Sequence, residues 1–237
     1  KMRIKITRQA DEPYFYGHGK LLITGEYFVF DGAKALAVPT KFGQSLRVKK
    51  LHASSNILYW IALNNKKQNW LNLVFDTTNF TCINSKQQEA KRLTAILSAA
   101  RNLNPEFLTD KQDTAVETCL EFPNEWGLDS SSTLIHCGSQ WAEIYAYSPL
   151  ENTNGGSGYD VACAANDSSI IYQLQNFNPV TTIVGWNPSF AQNIYFAFTG
   201  KKQLSSEGIK HYKYIAHNKA ELINQLNRIT ESILRCE

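Results

Sequence analysis

No apolar run in the chain approaches the ~20 residues that a bilayer-spanning helix requires. The first stretch, Lys1 to Asp11, alternates charge with Ile and has no signal-peptide core. Cysteine is sparse and scattered. Cys82, Cys119, Cys137, Cys163 and Cys236 are odd in number and form no CxxC pair, which argues against zinc or thioredoxin-type chemistry. Free buried thiols in a reducing cytoplasm are the expectation. Charge of one sign is also lacking: the formal net charge is +3, and the basic pairs Lys49-Lys50, Lys66-Lys67 and Lys201-Lys202 lie far apart in sequence. A nucleic-acid binder needs a clustered basic stripe, so neither nucleic acid nor membrane is an expected partner. With 43% hydrophobic and 12% aromatic residues, disorder, collagen and coiled coil are excluded. Length, at 237 residues, permits one large domain or two modest ones.

Periodicity assigns most elements. Alternating or β-branched runs predict strands at Arg3–Thr7, Lys20–Tyr27, Ser45–Lys49, Ile57–Leu63, Leu71–Phe75 and Val116–Phe122. Lys66-Lys67 marks a hairpin tip between two of them. Later strands are predicted at Ile170–Leu174, Val180–Trp186 and Asn193–Phe198. Ala90, Leu93, Ile96, Leu97 and Ala100 recur at helical spacing, so Gln88–Leu103 is a helix that ends before Pro105. Further helices are expected from Ser130 to about Tyr147, over Ser205–Tyr214, and over Lys219–Leu234 with Leu222, Ile223, Leu226, Ile229 and Ile233 on one face. Strands and helices interleave without a regular βαβ repeat, which makes the fold class α+β.

Three stretches could carry chemistry. In Tyr16-Gly-His-Gly-Lys-Leu-Leu-Ile-Thr-Gly-Glu-Tyr27, Lys20 enters a buried strand, and a lysine there needs an anionic partner. Glu26 or a ligand phosphate could supply it; a turn followed by an edge-strand lysine is the alternative. In Phe122-Pro-Asn-Glu-Trp-Gly-Leu-Asp-Ser-Ser-Ser-Thr133, a glycine turn feeds a serine-rich helix start. Backbone N–H groups left unpaired there, with the helix dipole behind them, form an anion site. An N-cap with surplus serines is the competing reading. The stretch lacks the lysine of a Walker loop and the spacing of a serine-hydrolase elbow. In Gly155-Gly-Ser-Gly-Tyr-Asp160, three glycines in four residues permit close backbone approach, and Asp160 follows at a helix start. A plain helix cap would look the same.

Taken together and in this order, the three stretches resemble the GHMP kinases, the superfamily of galactokinase, homoserine kinase, mevalonate kinase and phosphomevalonate kinase. The resemblance spans Tyr16 to about Tyr214. It is carried by Gly19-Lys-Leu-Leu-Ile-Thr-Gly-Glu-Tyr27, Trp126-Gly-Leu-Asp-Ser-Ser-Ser132 and Gly156-Ser-Gly-Tyr-Asp-Val-Ala162. It implies a ribosomal-protein-like N-terminal domain over residues 1–188 and a ferredoxin-like C-terminal domain, present in part, over 189–237. The family's third glycine-rich loop has no counterpart before Glu237.

The activity it implies is transfer of the ATP γ-phosphoryl group to an alcohol, phosphate or carboxylate of a small-molecule acceptor, in the manner of the mevalonate-pathway enzymes. ATP and Mg²⁺ are the implied cofactors and the cytoplasm the implied compartment; the oligomeric state stays open, with a homodimer as one option. Asp160 matches the catalytic aspartate and Lys20 the lysine that neutralises charge. Gly127, Leu128, Asp129, Ser130, Ser131 and Ser132 match the nucleotide loop, with Ser131 and either Glu151 or Glu143 toward Mg²⁺. His18, Glu26, Gly156, Ser157, Gly158, Tyr159, Lys201, Lys202 and Ser205 fall on the acceptor side. Asp129 stands where the family has glycine, so a silent nucleotide- or metabolite-binding protein is the rival reading.

Overall fold

The computed structural model describes residues 12–147, 156–200, 205–215 and 219–236. Two compact units emerge. Among the described residues, the first takes in 12–17, 42–123 and 130–147; the second takes in 18–41, 124–129, 156–200, 205–215 and 219–236.

In the first unit the strands are β1 (Tyr14–Leu22, its first residues), β2 (Ala35–Lys50, its later residues), β3 (Ile57–Leu63), β4 (Asn69–Asp76) and β5 (Thr114–Leu120). β5 lies antiparallel to β2, with Gln44 opposite Leu120, and parallel to β3, with Leu58 opposite Thr114. β3 and β4 form an antiparallel hairpin whose tip includes Lys67 at φ 57. Strict alternation makes β3 present Leu58, Trp60 and Ala62 to one buried face. Against that face packs helix α1 (Gln88–Leu103), which buries Ala90, Leu93, Leu97 and Ala100 at the spacing its sequence dictates. The Arg101 guanidinium at its end donates to the carbonyls of Phe107, Leu108 and Thr77 and lies 5.0 Å from the Phe80 ring centroid.

Helix α2 (Ser130–Trp141) closes this unit. It is shorter than its sequence predicts. Glu143 takes a left-handed conformation (φ 55), and Ile144 N donates back to the Ser139 carbonyl at 3.0 Å. That is a helix-terminating turn, so the segment to Tyr147 is not helical. Thr133 Oγ1 donates to Gln44 Oε1 at 2.7 Å and ties the first turn of α2 to β2.

The second unit contains the later residues of β1, the first residues of β2, helix α3 (Tyr159–Ala164), strands β6 (Ile170–Gln175) and β7 (Asn178–Ile183), and helices α4 (Ser205–Ile215) and α5 (Lys219–Leu234). Ala35–Ala37 pair antiparallel with Ile170–Tyr172, and β6 continues into a hairpin with β7. Strand β1 begins earlier than predicted and stops at Leu22, where a turn leads into the 3-10 segment Phe28–Asp31. The predicted strand at Asn193–Phe198 does not form; a 3-10 turn ends at Asn193, and the chain runs on irregularly with Tyr195, Phe196 and Phe198 exposed. Helix α5 also departs from expectation. Leu222 and Ile229 are exposed, while the fully buried position is Thr230, whose hydroxyl donates to Thr24 Oγ1 at 2.8 Å. Lys34 reinforces the contact, its N–H donating to Asn227 Oδ1 and its ammonium pairing with Glu231. The thiols of Cys137 and Cys163 are buried, whereas Cys236 is exposed. No helix among the described residues is long and apolar enough to cross a membrane.

Candidate active site

β1 delivers Lys20 into the second unit, where its backbone N–H donates to the Leu128 carbonyl at 3.1 Å. That bond pins the strand to the loop containing Gly127–Asp129. From this anchor the ammonium reaches two groups of α3. Nζ donates to Tyr159 Oη at 2.8 Å and lies 3.0 Å from Asp160 Oδ1. The Tyr159 ring centroid is 4.9 Å from Nζ. Gly158 at φ 90 makes the sharp entry into α3 that lets neighbouring side chains converge on one ammonium. The rest of α3 (Tyr159, Val161, Ala162, Cys163 and Ala164) is buried, leaving Asp160 as its most accessible side chain. Side-chain exposures of 16% for Lys20 and 21% for Asp160 leave both within reach of a small molecule.

Electrostatics in this cluster are coupled. Burial pushes the Asp160 carboxyl up to about 6; the Lys20 charge opposes the rise, Asp129 adds to it, and hydrogen bonding from Lys20 and Tyr159 lowers it. Burial works against the Lys20 charge, but Asp160 and Tyr159 outweigh it, with Asp129 contributing, and hold its pKa above the ordinary lysine value. Tyr159 is raised by burial and by the charges of Asp160 and Glu26, with Lys20 pulling the other way. At neutral pH the cluster is therefore a charged Lys20, an ionised Asp160 poised near neutrality, and a neutral phenol.

The nucleotide-loop candidates have a distinct geometry. Gly127 holds φ 74 with open space where a Cβ would project, and Asp129 follows at φ 62, both in the left-handed region. Ser130, Ser131 and Ser132 form the first turn of the twelve-residue α2. Ser131 Oγ accepts a hydrogen bond from Arg92 Nη2 at 2.9 Å, and Ser132 is buried.

The comparisons with known proteins address the fold. No protein-family model and no curated protein sequence matches the chain. Solved structures do. A mevalonate kinase from Methanococcus jannaschii aligns at TM-score 0.64 and 13% identity, covering 97% of this chain and 74% of that one. A Streptococcus pneumoniae phosphomevalonate kinase, in complex with phosphomevalonate and AMPPNP, aligns at 0.60 and 12%, covering 94% and 76%. An L. major mevalonate kinase in complex with R-mevalonate aligns at 0.59 and 14%, covering 93% and 67%. The fold is that of the GHMP kinases.

On this GHMP kinase fold the structure gathers Lys20, Asp129, Tyr159 and Asp160 into one electrostatic cluster, with Glu26, an exposed residue, acting on Tyr159. The anionic partner of Lys20 is Asp160, not Glu26. His18 does not join: its Nδ1 is 3.0 Å from the Thr40 carbonyl and donates to it, between β1 and β2. Gly156 is exposed, while Ser157 is buried and its carbonyl accepts from the Tyr172 hydroxyl. Ser157 Oγ has no hydrogen-bond partner among the described residues. Glu151, Lys201 and Lys202 lie outside the described residues, and Ser205 begins α4. Glu143 serves the end of α2. In the first unit, the Arg92 contact to Ser131 is one that sequence reading misses. Arg92 sits on the polar face of α1, 39 residues from Ser131, with no local motif to flag it.

For Mg²⁺ the described residues do not assemble a site. Ser131 is engaged by a guanidinium, and no group of three or more His, Cys, Asp or Glu able to hold a metal occurs among the described residues.

Proposed function

We propose that this chain is an ATP-dependent small-molecule kinase that transfers a γ-phosphoryl group to an oxygen of its acceptor. The observation that carries the reading is the Lys20–Asp160 pair, a partly accessible carboxylate raised to about 6 beside a held ammonium. Asp160, ionised at pH 7, accepts the proton of the acceptor hydroxyl as its oxygen attacks phosphorus; a base poised just below the working pH is effective in this role. Lys20 neutralises charge on the transferring group, so catalysis is positioning plus electrostatics. The resemblance assigns the nucleotide phosphates to the segment Gly127–Ser132, of which the left-handed turn at Gly127 and Asp129 belongs to the same unit as the pair. We place the acceptor among small alcohols, phosphates and carboxylates such as those of the mevalonate pathway, and Mg²⁺ enters with ATP as substrate.

A second reading has its own observation. Asp129 puts a carboxylate where the family has glycine, and its charge acts on Asp160, which favours a protein that binds a metabolite without turnover. Incubation with Mg-ATP and a panel of alcohols, mevalonate and phosphomevalonate separates the two. ADP production above background supports the kinase; binding without turnover supports the rival.

A further inference from the structure

We propose that Tyr159 is a positioning residue that holds the Lys20 ammonium against Asp160. Three observations support this. The Tyr159 hydroxyl accepts from Nζ at 2.8 Å, the ring lies 4.9 Å from the same nitrogen, and the side chain is only 6% exposed, so the phenol cannot turn away. An ammonium has three N–H donors. Tyr159 takes one, Asp160 lies beside Nζ, and a donor remains for an oxygen of an incoming phosphate. A second carboxylate in place of the phenol would quench the ammonium. A neutral acceptor fixes its position and leaves its charge available. The phenol suits this role because burial, Asp160 and Glu26 keep it protonated well above neutrality.

Its consequence for turnover rests on the kinase reading, but the positioning itself is testable in the full chain without nucleotide. The probe is the Asp160 carboxyl, labelled with ¹³C and titrated by NMR. Facing it are Lys20 from β1, Asp129 from the loop, and Tyr159 and Cys163 of its own helix. In the wild type it titrates near pH 6. In Tyr159→Phe the ring and its packing stay, the hydroxyl goes, Nζ loses an acceptor and drifts, and the Asp160 midpoint rises. In a Lys20→Met background, Tyr159→Phe produces a smaller rise, because only the direct hydrogen bond of the phenol to Asp160 is then left to lose. An unchanged or lowered midpoint in Tyr159→Phe overturns the proposal. So does an equal rise in both backgrounds, which would mean that the phenol acts on Asp160 only directly and not through the lysine. Where turnover exists, Tyr159→Phe lowers kcat by about 10²-fold with KM for ATP within about twofold, the signature of misplacement. Absence of turnover in the wild type defeats the kinase reading alone, and the titration still decides the role of Tyr159. Should Tyr159→Phe fold poorly, Tyr159→Gln, which keeps a neutral acceptor at every pH of the titration, is expected to leave the midpoint near the wild-type value; a clear rise there counts against the proposal.

Discussion

Replacing Asp129 by Asn removes one charge and keeps the shape of the side chain. Asp129 occupies the left-handed region at φ 62, a conformation that Asn adopts at least as readily. Its carboxylate lies in the same loop as the backbone N–H groups assigned to the nucleotide. Two unit like charges ~4 Å apart repel by about 4 kcal/mol at an effective dielectric of ~20, equivalent to about a thousandfold in affinity. Lys20 already offsets part of that charge, since Asp129 contributes to holding the ammonium protonated. The expected gain in Mg-ATP affinity for Asp129→Asn therefore lies between about tenfold and a thousandfold. Isothermal titration calorimetry of both proteins at pH 7.5 measures it directly. A second readout comes from Asp160, whose midpoint should fall below about 6 once the like charge is gone. An affinity unchanged within twofold would place the nucleotide phosphates away from this loop and refute the assignment of Gly127–Ser132.

Three further outcomes are expected. Lys20→Met leaves Asp160 without its counter-charge and lowers stability by about 2–3 kcal/mol in urea at pH 7, below the full range for buried pairs because the site keeps some exposure; the loss should shrink below pH 6 as Asp160 protonates, and a pH-independent loss would contradict the pairing. For pH dependence, Asp160 binds its proton more tightly folded (about 6) than at its ordinary value of 3.8. Its ionisation therefore opposes folding: the favourable state is complete below about pH 4, and about 3 kcal/mol is lost as pH rises through 6. Asp160→Asn should flatten that part of the stability profile, and equal profiles would count against the raised carboxyl. Gly43→Ala would set a Cβ 2.3 Å from the Gly17 carbonyl oxygen and 2.6 Å from the Tyr16 ring. Backbone must yield, so a loss of about 2–3 kcal/mol is expected by thermal unfolding; a change under about 0.5 kcal/mol would question the close approach of β1 and β2.

Much of the fold is legible because local pattern and tertiary environment agree. Gln88–Leu103 and Ile57–Leu63 are bounded in the structure as their periodicities dictate, since each buries one face against the same core. Ala35–Phe42 is a strand that pattern alone misses: Ala, Pro and Lys dilute the β signal, and pairing with β6 supplies what propensity does not. Asn193–Phe198 shows the converse, aromatic content with no ladder to join among the described residues. At the site, Lys20 and Asp160 stand out through their motifs. Their mutual pairing does not, because 140 residues of chain separate them and only the folded backbone brings the side chains to 3.0 Å. Tyr159 stands out by its place after the glycines, but its bond to Lys20 does not, and the contact of the Arg92 guanidinium to Ser131 has no motif to signal it.

The central claim is that Asp160 and Lys20 serve phosphoryl transfer from ATP, and ³¹P NMR of wild type and Asp160→Asn with Mg-ATP and the acceptor panel tests it most directly. The account predicts that the γ-phosphorus resonance of ATP is converted into a new phosphorylated acceptor by the wild type. Asp160→Asn should bind Mg-ATP with similar affinity and form no product. Transfer that persists at the wild-type rate in Asp160→Asn, or a wild type that binds ATP and phosphorylates no acceptor, would contradict it.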